Sequence, residues 1–356
     1  MAKKVNDRPG RRDRRTKHSA RRTIDTHVLP HTSYLATDGV RPRWRFTLVV
    51  INRTLTHYRL RSVCVIQRSS TRKAQRILSG DELRKLFVQG SEDLPSDKAV
   101  VMDIQEPSDT GFEPRSVRVT VRLMANSARE VAIQCRIALT SADTQRLRFP
   151  LAGAWTAANA RADLHCLGTQ FGFDFVRPRD MCYHENPPSR RMRLSEFASF
   201  GQIVRAPASG MVIASEGNQP DFPPTLTEVT FSKGPPKGKH RLAYIGNHVV
   251  IKMDSGPCVV MAHLRQGSVR VASGERVVEG TILGAVGNSG NTSGPHLHME
   301  VLDSAPDFAD LLTLDFKQSG VPFGFHRVKL HHKGRAKQSR GVVVPSKGTV
   351  LSRTRL

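Results

Sequence analysis

Residues 285–300 read AVGNSGNTSGPHLHME, and how this stretch folds decides the architecture of the C-terminal half. A Gly/Ser/Asn-rich loop ends at Pro295 and is followed by two histidines separated by one leucine. If the chain after Pro295 is extended, the two-residue period of a strand puts His296 and His298 on one face and Leu297 and Met299 on the other. Two neighbouring imidazoles make half of a zinc site. Taken alone, such a pair is more often a surface or packing feature, so the other ligands have to be found upstream.

Two upstream stretches offer them. GTQFGFDFV (168–176) contains one acid, Asp174, in apolar surroundings where a carboxylate is costly without a cation or a hydrogen-bond partner. A turn cap or an arginine partner would also account for it. VVMAHL (259–264) closes a strand-like run with His263. Strand signals continue through IVRAPASGMVIAS, HVVIKMDSGPCVVMAHL and SVRVASGERVVEGTILGAVG. Within the last of these, VxxGxxVxxGxxLG (271–284) places glycines where tight turns between short strands need positive φ or close backbone approach. The Pro/Gly-rich segment 219–247 reads as a long excursion over the rim of a sheet.

Taken in order, FGFDF, APASGMVIA, GNHVVIKM, MAHLRQGSVRV and GERVVEGTILGAVGNSGNTSGPHLHMEV resemble the lysostaphin-like (LytM-type) zinc metallopeptidases, a family of murein endopeptidases. The resemblance covers roughly residues 150–326, and its last segment is the most specific part. It implies an antiparallel β-sheet peptidase domain with one Zn²⁺. Asp174 and His298 match two zinc ligands, His296 matches the catalytic histidine, and His263 matches the histidine that assists it. The family motif HxGxD reads QFGFD here, so Gln170 stands at the usual first-ligand position. An amide is a weak zinc ligand beside imidazole or carboxylate. His165, in the loop before Asp174, is the candidate replacement for the third ligand.

The N-terminal half reads differently. RFTLVVINRT (45–54), YRLRSVCVIQ (58–67), KAVVMDIQ (98–105), SVRVTVRLMA (116–125) and VAIQCRIAL (131–139) combine β-branched residues with partial alternation, as strands of a sandwich do. SGDELRKLFVQG (79–90) has helical spacing with an Asp cap, and RPRDMCYHENPPSRR (177–191) reads as a loop. The expected organisation is mainly β: a basic disordered tail over 1–40, a β-sandwich-like domain over 41–145, the peptidase domain over 146–326 and a second basic disordered tail over 327–356.

Charge and composition bound the partners. The formal net charge is +24, with ten Lys/Arg in residues 1–22 and nine in residues 321–356, the latter without an acid. Such runs usually stay solvated and attract polyanions. Peptidoglycan or its peptide bridges is the partner the resemblance implies, with anionic polymers engaged through the tails. Nucleic acid stays open as a non-specific partner. The chain is only 6% aromatic and neither tail interleaves aromatics among its basic residues, which disfavours base stacking. Cys64, Cys135, Cys166, Cys182 and Cys258 are odd in number and scattered, so no disulfide framework is expected. His184, His240, His248 and His326 lack a partner spacing, and His331 with His332 sits in the basic tail, where adventitious metal binding is the simpler reading. No apolar run approaches ~20 residues, and no secretory signal is visible, so localisation stays open. A wall substrate implies the periplasm, the cell wall or the exterior for an exported chain. Two functions from different classes follow: a zinc endopeptidase cutting peptidoglycan cross-links, or a catalytically degenerate module of the same fold that binds peptidoglycan or activates another hydrolase.

Overall fold

The computed structural model describes residues 23–29, 32–35, 44–105, 114–141, 143–159, 171–185, 190, 192–225, 245–306, 318–333 and 335–354. Strand dominates, at 52% against 6% helix, so the expected β class holds.

The N-terminal half is built from β1 (Ile24–Leu29), β2 (Thr32–Leu35), β3 (Arg45–Asn52), β4 (Tyr58–Arg68), β5 (Lys73–Ser79), α1 (Gly80–Arg84), β6 (Phe87–Gln89), β7 (Asp93–Leu94), β8 (Lys98–Gln105), β9 (Ser116–Ala125) and β10 (Glu130–Ser141). One sheet runs β1-β3-β8-β6 and the other β2-β10-β9-β4-β5, with β7 on β4. Alternation explains how they face one another: Phe46, Leu48 and Val50 of β3 meet Val63 and Val65 of β4 and Val117, Val119, Val121 and Leu123 of β9 in one buried core. All five expected strands form. The expected helix over 79–90 is cut to five residues, because Phe87–Gln89 pairs with β8 at the sheet edge instead of continuing the helix. Leu83 is its buried anchor.

The C-terminal half comprises β11 (Gln145–Arg148), β12 (Ala154–Asn159), β13 (Phe173–Val176), α2 (Pro178–Glu185), β14 (Ile203–Arg205), β15 (Gly210–Glu216), β16 (Asn247–Met253), β17 (Cys258–Leu264), β18 (Arg276–Val277), β19 (Ile282–Ala285), β20 (Leu297–Leu302), β21 (Phe323–His326), β22 (Val328–His332), β23 (Arg335–Gln338) and β24 (Val350–Arg353). Ten of them form one sheet in the order β18-β15-β16-β17-β20-β13-β12-β24-β22-β23, while β11 pairs with β21 and β14 with β19. The pairs within the large sheet are antiparallel. Gly274 and Gly280 do adopt positive φ, +88° and +93°, at the turns that flank β18.

Three expectations need correction. The described residues of 327–354 are not a solvated tail: β22 and β24 carry Val328 and Leu351, both fully buried in the main core, and His331 bonds Ser352 across the two strands. The alternation of Val328, Leu330 and the 350–353 strand offers enough apolar surface to offset ordering despite the surrounding charge. Likewise, β1 and β2 belong to the sandwich, within the stretch expected to be a tail; residues 1–22 lie outside the described residues. The third correction concerns 177–191, whose first half is the helix α2. Pro178 occupies its first turn, where a missing N–H costs nothing, and Asp180 reaches out to accept hydrogen bonds from the backbone of Ala198 and from Ser199. Most of the 219–247 excursion, residues 226–244, lies outside the described residues.

Behind the site, the sheet rests on an aromatic cluster. Phe149, Phe173, Phe175, Phe323 and Phe325 meet largely edge to face, with ring centroids from 5.1 Å apart. This packing holds β13 against β21 and so fixes the strand that bears Asp174.

Candidate active site

Asp174, His298 and Ala262 lie side by side on β13, β20 and β17, because the register pairs Asp174 with His298 and His298 with Ala262. The two-residue period does the sorting. Leu297, Met299 and Val301 point into the main core together with Phe173 and Phe175, leaving His298, Glu300 and Asp174 on the opposite face. His296 precedes β20 by one residue and reaches the same point: its Nε2 is 3.5 Å from Asp174 Oδ1, while His298 Nδ1 is 2.9 Å from that oxygen. His263 comes from the end of β17, in the left-handed region at φ 60°, a conformation that costs a non-glycine residue free energy and clusters at functional sites. Its ring stands 4.7 Å from that of His296 and 5.9 Å from that of His298. The four predicted residues Asp174, His263, His296 and His298 therefore converge.

Hydrogen bonding gives these imidazoles different characters. His263 Nδ1 lies 2.8 Å from the Ser289 carbonyl and His296 Nδ1 lies 2.8 Å from the Gly294 carbonyl. A carbonyl only accepts, so each Nδ1 carries its proton, and Nε2 is the nitrogen each ring has left for the site. Burial, reinforced by His296 and His298, holds His263 well below the usual imidazole range, which keeps it neutral. His298 has a carboxylate at each nitrogen, Asp174 at Nδ1 and Glu300 Oε2 at 4.0 Å from Nε2. Burial opposes its protonation, yet the hydrogen bonds and charges of Asp174 and Glu300 prevail and raise it to about 10.

The donor set, one carboxylate and an imidazole 2.9 Å apart, suits zinc in kind. Among the described residues no third side chain completes a metal-holding group. His165 and Gln170, the two residues on which the third ligand turns, lie outside the described residues, as does Cys166. The remaining cysteines are free thiols, and burial pushes Cys135 up to about 11, so it stays an unreactive thiol.

Several residues that build the site were not singled out in the sequence. Ser289 accepts from Asn247 N and donates to the Leu264 carbonyl, tying β16, β17 and the 285–296 loop together. Thr292 donates to Asn288 or the Gly294 carbonyl and sits 3.2 Å from His296 Nδ1. Asp221 accepts from the backbone of Asn288 and Gln266. Only Glu300 left a readable signal, since it follows His298 at the strand period.

Residues 194–308 match Peptidase family M23. The expected LytM-like domain in the C-terminal half is thereby borne out. The M23 region contains His263, His296 and His298, whereas Asp174 lies ahead of it and is brought in by strand pairing. Solved structures similar to this chain include a zinc-containing peptidase from Vibrio cholerae, 14% identical over 72% of this chain and 52% of its own, with a TM-score of 0.24. The catalytic domain of the antimicrobial peptidase lysostaphin from Staphylococcus simulans is 17% identical over 45% and 81%, TM-score 0.23. The deep-sea M23 metalloprotease pseudoalterin is 14% identical over 57% and 99%, TM-score 0.28. No curated protein matches the chain. No helix among the described residues is long and apolar enough to cross a membrane.

Proposed function

We propose that this protein is a zinc metalloendopeptidase that hydrolyses peptide bonds, with bacterial peptidoglycan cross-links as its substrate. The convergence of Asp174, His298, His296 and His263 on one face of the sheet, three of them within the M23 region, carries the reading. Asp174 and His298 would hold the metal. Bound there, zinc supplies Lewis acidity, polarising the scissile carbonyl and lowering the pKa of a water. Glu300 then faces the distal nitrogen of His298 and orients the ring, the usual role of a carboxylate behind a metal-bound imidazole. His263, kept neutral by burial, can take a proton from the attacking water at Nε2, and His296 stands beside it with its Nε2 3.5 Å from Asp174 Oδ1. As imidazolium, either can hold the oxyanion or pass the proton to the leaving amine. The basic ends of the chain suit an anionic wall polymer.

A second reading has one specific observation in its favour. Gln170 at the first-ligand position fits a module that binds peptidoglycan or activates another hydrolase without cutting. Zinc content separates the two. The enzyme reading expects about one zinc per chain after dialysis, lost in both Asp174→Ala and His298→Ala, with murein digestion that follows the metal. A wild-type chain that takes up no zinc even after incubation with the ion would leave the binding module standing.

A further inference from the structure

Away from the four site residues, a cavity of ≈ 430 Å³ opens where the C-terminal strands fold back, lined by Arg146, His326, Arg327, Gln338, Ser339, Arg340 and Gly341. Its walls are set by backbone pairing. Arg146 lies on β11, whose register against β21 places it opposite Gly324. Arg327 sits at the left-handed junction of β21 and β22. Arg340 follows β23 in a segment anchored on both sides, by Ser339 N donating to the Val328 carbonyl and by Val343 and Phe325 exchanging backbone hydrogen bonds.

The charge in this cavity is uncompensated. Among the described residues, no hydrogen bond or ion pair occupies the side chain of Arg146, Arg327 or Arg340. The carboxylate that acts on His326 is Glu279, and it is already held by Arg148 at 3.2 Å. Three guanidiniums around one concavity repel each other, and the strand pairing keeps them together all the same. A guanidinium offers a planar fork of donors that matches the edge of a tetrahedral oxyanion. The imidazole of His326 adds a neutral donor, while the Ser339 hydroxyl donates to the Gly341 carbonyl and shapes the wall.

We propose that this cavity is a binding site for a phosphate group carried on a small organic moiety. Arg146, Arg327 and Arg340 take the phosphate oxygens. The cavity is several times larger than a bare phosphate, and Gln338 with the peptide of Gly341 lines the space left for the carrier. The site is separate from the candidate metal centre and does not depend on the peptidase reading.

Titration calorimetry of the full chain at constant ionic strength in chloride tests this, with inorganic phosphate and glycerol 3-phosphate as probes. Saturable binding is expected for both, and tighter for glycerol 3-phosphate. In the Arg146→Gln/Arg340→Gln variant, whose two changed side chains are exposed and bond to nothing in the fold, affinity falls by about tenfold or more. Arg146→Lys/Arg340→Lys loses less, since it keeps the charge and gives up the fork. Arg270→Gln, an exposed control, and Asp174→Ala leave the affinity unchanged. Absence of saturable binding, equal affinity in the double glutamine variant, or a loss in Asp174→Ala as large as in that variant would overturn the site. A thermal melt of each variant verifies that the fold persists.

Discussion

His298 is the residue whose chemistry is most altered by its surroundings. With Asp174 on one nitrogen and Glu300 on the other it favours the cation, up to about pH 10. A raised folded pKa means that the stability His298 contributes to the metal-free protein is fully present below the ordinary imidazole value. That stability declines as pH rises toward 10. A metal needs the neutral ring, so zinc uptake at neutral pH must expel this proton. Calorimetry in buffers of differing ionisation enthalpy should therefore register about one proton released per zinc, with apparent affinity falling as the solution is acidified. Uptake without proton release would show that the two carboxylates do not hold His298 as a cation. His263 has the opposite sign: its depressed value keeps it unprotonated near neutrality and lowers stability as pH falls through the ordinary imidazole range. The candidate face was partly legible in the sequence, since strand period pairs His296 with His298 and apolar flanks single out Asp174, while their roles are what the family resemblance implies. The tautomers were not, since they depend on carbonyls of Ser289 and Gly294 that reach the rings only after the loop has folded.

At the scale of elements, the site hangs on one loop. Residues 285–296 join β19 to β20, and Ser289 pins that loop to the start of β16 and the end of β17 through its hydroxyl, while its carbonyl fixes His263. Ser289→Ala leaves the buried backbone N–H of Asn247 without its acceptor, while the Leu264 carbonyl keeps the Asn247 side-chain amide, for an expected loss of roughly 1–3 kcal/mol in urea denaturation. A variant as stable as the wild type would mean the loop is held from elsewhere. By residue type alone NSGNTSGP announces a turn and not which groups it will tie, because Ser, Asn and Thr favour loops whether or not they organise a site. The short helix α1 illustrates the same limit. Spacing supports a helix through residue 90, but β8 offers Phe87–Gln89 a strand partner, and pairing at a sheet edge outweighs local propensity.

For the whole molecule, the decisive feature is the C-terminal segment. β24 pairs with β12, and β12 pairs with β13, so the strand bearing Asp174 lies two strands from the chain's last described residues. Deleting residues 327–356 removes Val328 and Leu351 from the core, at about 1.5–3 kcal/mol for each buried side chain, and bares the edge of β12. The truncated chain should unfold at clearly lower urea and be cut by trypsin within the C-terminal half. An unchanged urea midpoint would mean that β22–β24 are not part of the cooperative unit. Two β halves and the strands β3, β4, β8, β9 and β10 of the first were legible in the sequence itself, because alternation and turn residues are local signals that the chain carries wherever it folds, and the family resemblance singled out His296, His298, His263 and Asp174 as candidates. Which strands neighbour one another, that a basic stretch becomes core, and that unrelated arginines from β11, the β21–β22 junction and the loop after β23 share one cavity were decided only by the tertiary structure. Strand order and burial are set by pairing between residues far apart in the chain, and no local pattern encodes that choice.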